Sequence, residues 1–70
     1  MAYTTGLDLK IERLKAHLEQ REIARRMGVS SNRVSNIETA NFVTPEAAKR
    51  YREALAQALE DATRATEALA

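Results

Sequence analysis

The sequence predicts an all-α fold: a small bundle of four helices, or five, that ends in one long helix. Three observations predict it. Apolar residues recur at three- and four-residue steps along most of the chain. No stretch alternates apolar and polar residues with the period of a strand. The residues that punctuate regular structure are two glycines and one proline, and each sits where a helix would begin or end.

Length and composition narrow what such a bundle can be. Seventy residues allow one domain, residues 1–70, with a core expected over residues 7–59 and a helical tail over 60–70. A domain of this size buries only about 60% of its unfolded surface, so its stability is modest or shared with a partner. The chain has no cysteine and one histidine, which excludes disulfides, cysteine-based zinc sites and histidine clusters. No apolar run approaches the ~20 residues of a membrane span. The N-terminus lacks a secretory apolar segment, so a cytoplasmic protein is expected. The net charge of +1 hides an asymmetry: residues 1–52 carry 10 Lys and Arg against 6 Asp and Glu, residues 53–70 carry 1 against 4. A basic body with an acidic tail is compatible with a polyanionic partner for the body.

The elements follow in order. Met1 to Thr5 reads as an arm. Thr5-Gly6-Leu7-Asp8 resembles a capping box with Asp8 in the place of the usual Glu. Behind it Leu7, Ile11, Leu14 and Leu18 recur at three- and four-residue steps and mark a first helix, ending near His17. Gln20 to Met27 forms a second helix with Ile23, Ala24 and Met27 inward, and Gly28 suits a left-handed cap. Ser30 or Ser31 can cap a third helix that runs to about Glu38. Thr39 to Val43 is a loop. Thr44-Pro45-Glu46 then starts the last helix, with a Thr cap, Pro at the first position and an acid at the positive end of the dipole. Nothing stops this helix before the C-terminus. Along it Ala48, Tyr51, Leu55, Ala58, Ala62, Ala65 and Leu69 form a heptad-type seam.

The second and third helices carry the functional signal. Two short helices joined by a tight turn cross steeply, which requires a small residue where they pass, a residue tolerant of positive φ in the turn, and apolar residues filling the angle. Ala24, Gly28, and the set Ile23, Met27, Val29, Val34 and Ile37 occupy those seven places. The joint pattern defines a helix-turn-helix.

The stretch LEQREIARRMGVSSNRVSNIE resembles the helix-turn-helix of the phage repressor and Cro family, the Xre or lambda-repressor-like type, over roughly Leu9 to Leu55. The resemblance implies a third helix lying in the DNA major groove while the second crosses the backbone. By position, Gln20 matches a phosphate-contacting glutamine. Ser30, Ser31, Asn32 and Asn36 match the start and outer face of the reading helix, with Arg33 and Ser35 beside them. Arg13 and Glu38 match a partly buried salt bridge. The resemblance further implies a transcription regulator, of phage or prophage type, bound as a homodimer to a two-fold operator in a bacterial or host cytoplasm.

The side-chain chemistry agrees. Asn donates and accepts together at adenine N6 and N7, and Arg grips guanine O6 and N7. The expected base readers are therefore Ser31, Asn32, Arg33 and Asn36. The expected phosphate contacts are Gln20, Arg21, Ser30, Ser35 and Asn41, with Lys15, Arg25 and Arg26 adding contacts or attraction. Two departures from the family stand out. The loop Thr39-Ala40-Asn41 lacks the usual Gly and Lys, and one long helix replaces two short ones. The dimer contact is expected at Phe42 and Val43 or along the C-terminal helix. The missing basic loop and the apolar Phe42-Val43 also fit an alternative, a protein-interaction module such as an antitoxin or antirepressor-like partner of a larger regulator. His17 reads as a surface residue, and Tyr51 and Phe42 as core or interface. No nucleophile–base pair, carboxylate dyad or phosphate loop is present, so no enzymatic activity, cofactor or metal is expected.

Overall fold

The structure, a computed structural model, describes residues 3–69, with side chains described through residue 66. Four helices follow one another: α1 (Gly6–Lys15), α2 (Gln20–Met27), α3 (Ser31–Thr39) and α4 (Pro45–Leu69). This is the all-α bundle with a long last helix that the sequence predicts, with four helices among the described residues.

Each start has a chemical cause. At α1 the Thr5 hydroxyl accepts from the Asp8 N–H (3.1 Å) while the Asp8 carboxylate accepts from the Thr5 N–H (3.0 Å). That backbone donor, then the hydroxyl, hold the Asp8 carboxyl below the usual carboxylate range. At α2 the Glu22 carboxylate accepts from the Glu19 N–H at 2.8 Å, a cap the sequence reading does not include. Ser30, not Ser31, caps α3, and Thr44 caps α4 by accepting from the Ala47 N–H. Gly28 ends α2 at φ 72°, the left-handed region that glycine enters without penalty. The first helix stops at Lys15 rather than near His17, because exposed His17 itself turns left-handed at φ 58°.

The buried face of α1 is not the leucine row. Gly6, Leu9 and Arg13 face the core, whereas Leu7, Ile11 and Leu14 are 60%, 41% and 52% exposed. Both rows have helical spacing, but the buried one contains a glycine and an arginine, so hydrophobicity points to the wrong side. Gly6 is there because α3 passes closely: a Cβ on it would collide with the backbone of Ile37 and Glu38. Beyond α1, Leu18 is buried as expected.

The core joins Leu9, Leu18, Ile23, Ala24, Val34, Val43, Ala48, Tyr51, Ala54, Leu55 and Ala58. Fully buried Leu9, Ile23 and Val34 contribute roughly 1.5–3 kcal/mol each by leaving water. Met27 and Ile37 pack partly against this core, and Val29 is 36% exposed.

Two segments expected to be free are tied down. Val43 is buried, and its N–H donates to the Thr4 carbonyl (2.9 Å) in an isolated antiparallel bridge. The Gly6 N–H donates to Ala40 O at 2.9 Å. Thr4 and Thr5 are thus structural and not part of an arm, while Met1 and Ala2 lie outside the described residues. Val43 is thus part of the core, while Phe42 beside it is exposed.

The seam of α4 divides in two. Ala48, Tyr51, Leu55 and Ala58 are buried, as is Ala54, but Ala62 and Ala65 are exposed. The Leu69 side chain lies outside the described ones. The last stretch of α4 therefore projects past the core. Among the described residues no helix is long and apolar enough to cross a membrane.

Candidate nucleic-acid interface

The site is built on a buried polar centre where the four helices meet. Arg13 Nε donates to Glu38 Oε2 (2.7 Å) and its second amino group to Oε1 (3.1 Å), the bidentate fork that suits a guanidinium and a carboxylate. The remaining amino group of Arg13 donates to Leu18 O at 2.8 Å. Glu38 accepts two more bonds, from Gln20 Nε2 (3.0 Å) and from the Tyr51 hydroxyl (2.6 Å). One carboxylate thus ties α1, α2, α3 and α4 together.

The electrostatics follow from that count. Burial pushes the Glu38 carboxyl up, but the donors Arg13, Tyr51 and Gln20 outweigh it and hold it below the usual carboxylate range. Burial, then its bond to the carboxylate, pushes Tyr51 well above the usual phenol range. The hydrogen bond to Glu38 raises Arg13. The predicted Arg13–Glu38 pair is therefore present and structural, and Tyr51 is core. The part of Tyr51 in the centre is what sequence reasoning missed. Its signal is a tyrosine within an otherwise aliphatic seam, where a hydroxyl must find a partner.

Fixing Glu38 fixes α3. Val34 is fully buried and Ile37 half-buried against the core, which orients the opposite face outward. Ser31, Asn32, Arg33 and Asn36 are all exposed there, and Ser35 is half-buried at the edge. Glu38, the one acid of α3, is turned inward beneath Arg13, so the outer face carries donors and acceptors with no negative charge. The four predicted base readers are thus all exposed along α3.

The residues expected at phosphates are placed less uniformly. Gln20, at the first position of α2, spends one amide hydrogen on Glu38 and keeps the other. Arg21 is exposed and pairs with Glu19 at 2.6 Å. The Ser30 oxygen accepts the Arg33 N–H, leaving its hydroxyl proton to donate outward. Asn41 is exposed in the loop after α3, and Lys15 and Arg25 are exposed. Arg26 differs: it donates to Glu22 O and to Asp61 (2.7 Å), which fastens α2 to α4. Phe42 is exposed beside Tyr3, their ring centres 5.6 Å apart. Among the described residues no group of three or more acidic or histidine side chains is arranged to hold a metal.

The arrangement presents the polar side of α3, its one acid turned inward, on a scaffold tied by a buried ion pair. A family model described as helix-turn-helix matches residues 9–61, which span the buried centre, the exposed face of α3 and the first part of α4. No curated protein and no solved structure matches the chain. The match covers most of the chain and falls on the elements that build this face; the protein belongs to the Xre and lambda-repressor-like helix-turn-helix family of DNA-binding regulators.

Proposed function

We propose that the protein is a sequence-specific transcription regulator of the phage repressor or Cro type, which reads a two-fold operator with α3 in the major groove. The observation that carries this reading is the exposure of Ser31, Asn32, Arg33 and Asn36 along α3, whose one acid, Glu38, is turned inward while Val34 anchors the helix from behind. Asn32 and Asn36 are suited to adenine and Arg33 to guanine. Contacts from Gln20, Arg21, Ser30, Ser35 and Asn41 to phosphates would set register without carrying sequence information. Four readers per chain specify few base pairs, so two copies on half-sites about 34 Å apart supply the discrimination a regulator needs. Occupying such a site blocks a promoter sterically.

The test is a binding competition on DNA fragments flanking the gene that encodes the protein. The wild type should prefer one fragment. Asn32→Ala with Asn36→Ala should abolish that preference while keeping the weak, salt-sensitive binding common to all fragments. An unchanged preference would remove α3 as the reader.

A second reading, a protein-interaction module in the manner of an antitoxin, is favoured by one observation. Leu7, Ile11 and Leu14 form an exposed apolar row along α1. A stable complex with another protein at physiological salt, without salt-sensitive DNA binding, would favour this reading over the first.

A further inference from the structure

Three large apolar side chains stand in water on one side of α1. Leu7, Ile11 and Leu14 are exposed, and their four- and three-residue steps set them in one row over about 10 Å of helix. The other side of α1 is fixed, by Gly6 against the backbone of α3 and by the fork between Arg13 and Glu38. The helix cannot turn its row inward without breaking both. Apolar residues scattered singly over a surface need no partner, but a contiguous row on a helix held this firmly marks a contact.

The charges around the row select the occupant. By helical spacing Lys10 lies on one flank, beside Leu7 and Leu14, and Lys15 on the other, beside Ile11. Both are exposed, and among the described residues neither makes an ion pair. The acids nearby are engaged. Asp8, on the Lys15 flank, accepts from the Thr5 N–H at 3.0 Å, and Glu12 beyond it is gripped by Arg52 through both oxygens, the shortest bond 2.8 Å. Past the end of α1, Glu19 pairs with Arg21 and Glu22 accepts from the Glu19 N–H. A second copy of the chain would bring these lysines only the same engaged acids. An anionic membrane would cover three apolar side chains, and binding to a bilayer scales with the apolar area buried. A helix whose apolar stripe is bordered by free carboxylates matches both the row and its flanks. Its shape fits as well, because a row at these steps is a ridge that packs between the ridges of another helix.

We infer that the outer face of α1 seats an amphipathic helix of another protein, whose apolar stripe packs on Leu7, Ile11 and Leu14 and whose flanking carboxylates pair with Lys10 and Lys15. This inference names the partner for the protein-interaction reading and rests on it; it uses no residue of α3.

The probe is a synthetic amphipathic helical peptide, a leucine stripe bordered on both sides by glutamates, titrated into the isotope-labelled full chain and followed by amide chemical shifts. Shifts should cluster on Leu7 to Lys15 and saturate with a dissociation constant below roughly 100 µM. Ile11→Glu should raise that constant at least about tenfold, as loss of a central apolar anchor does. The same peptide with lysines in place of its glutamates should bind several-fold more weakly. Lys10→Glu with Lys15→Glu should reverse that preference, and added salt should narrow it. Circular dichroism checks that these variants, all at exposed positions, remain helical. Equal binding of the two peptides overturns the inference. So does a dimer of the free chain that Ile11→Glu dissociates, which would give the face to a second copy. Binding to anionic phospholipid vesicles that Ile11→Glu abolishes, without peptide binding, would make the face a membrane contact and also overturns it. Shifts around Phe42 instead of α1 would keep the protein-interaction reading and overturn this seat alone. No peptide shift on any surface overturns the seat, and the reading with it if the chain also forms no protein complex at physiological salt.

Discussion

Glu38 is the residue on which the bundle turns, because a carboxylate with 1% side-chain exposure persists only while its donors stay in place. Tyr51 supplies the shortest of those bonds, at 2.6 Å, and is itself fully buried. Tyr51→Phe keeps the volume and deletes the donor, so the expected loss is about 1.5–3 kcal/mol, the range for a hydrogen bond to a charged group. Urea denaturation measures it, and a loss below about 0.5 kcal/mol would mean that Glu38 finds another donor. The pH dependence has a definite sign. The Glu38 carboxyl is lowered on folding, so its contribution is fully present above the ordinary carboxylate value of 4.5 and is lost as pH falls through the lower, folded value. Removing the Tyr51 donor weakens that lowering. Acid unfolding of Tyr51→Phe, followed by circular dichroism, should therefore begin at higher pH than in the wild type.

At the scale of elements, the two glycines serve different purposes and should respond differently to alanine. Gly28 needs glycine for its backbone alone: φ is 72° and no atom lies within 4 Å of an added Cβ. Gly28→Ala should cost about 1–2 kcal/mol, the penalty of a left-handed L-residue. Gly6 has ordinary dihedrals, but a Cβ there would strike the backbone of α3. Moving two packed helices apart costs more, about 3 kcal/mol, at the upper end of overpacking. Chemical denaturation of the pair should rank Gly6→Ala below Gly28→Ala in stability, and the reverse order would mean that α1 and α3 separate easily. The contrast also marks how far the sequence is legible. Caps, turns and the α2–α3 crossing rest on local chemistry, so Thr5, Gly28, Thr44 and Pro45 could be read directly. The inward face of α1 depends on what lies opposite, and there a glycine and an arginine displaced Leu7, Ile11 and Leu14. The exposed face of α3 was legible because its polar residues leave only Val34 and Ile37 to face the core. The commitment of Gln20 and Arg26 to Glu38 and Asp61 was not legible, since those partners lie 18 and 35 residues away.

For the whole molecule, the decisive feature is where the core ends along α4. Its 25 residues span about 37 Å at 1.5 Å per residue, yet among the described side chains burial stops at Ala58, and beyond it the Arg26–Asp61 pair ties α4 to α2. A helix segment with no apolar surface buried contributes little to folding, since isolated helical turns are marginal in water. Ending the chain after Ala62 keeps Asp61 and removes only side chains that are exposed or lie outside the described ones. Measured by urea denaturation at a concentration where the chain is monomeric, this truncation should change the unfolding free energy by less than about 0.5 kcal/mol. Dimerisation would stabilise the folded state of both chains by mass action, so each unfolding midpoint should then rise with concentration. A truncated monomer that has lost more than about 2 kcal/mol would show that the end of α4 folds back on its own body, leaving no projecting helix to engage another copy.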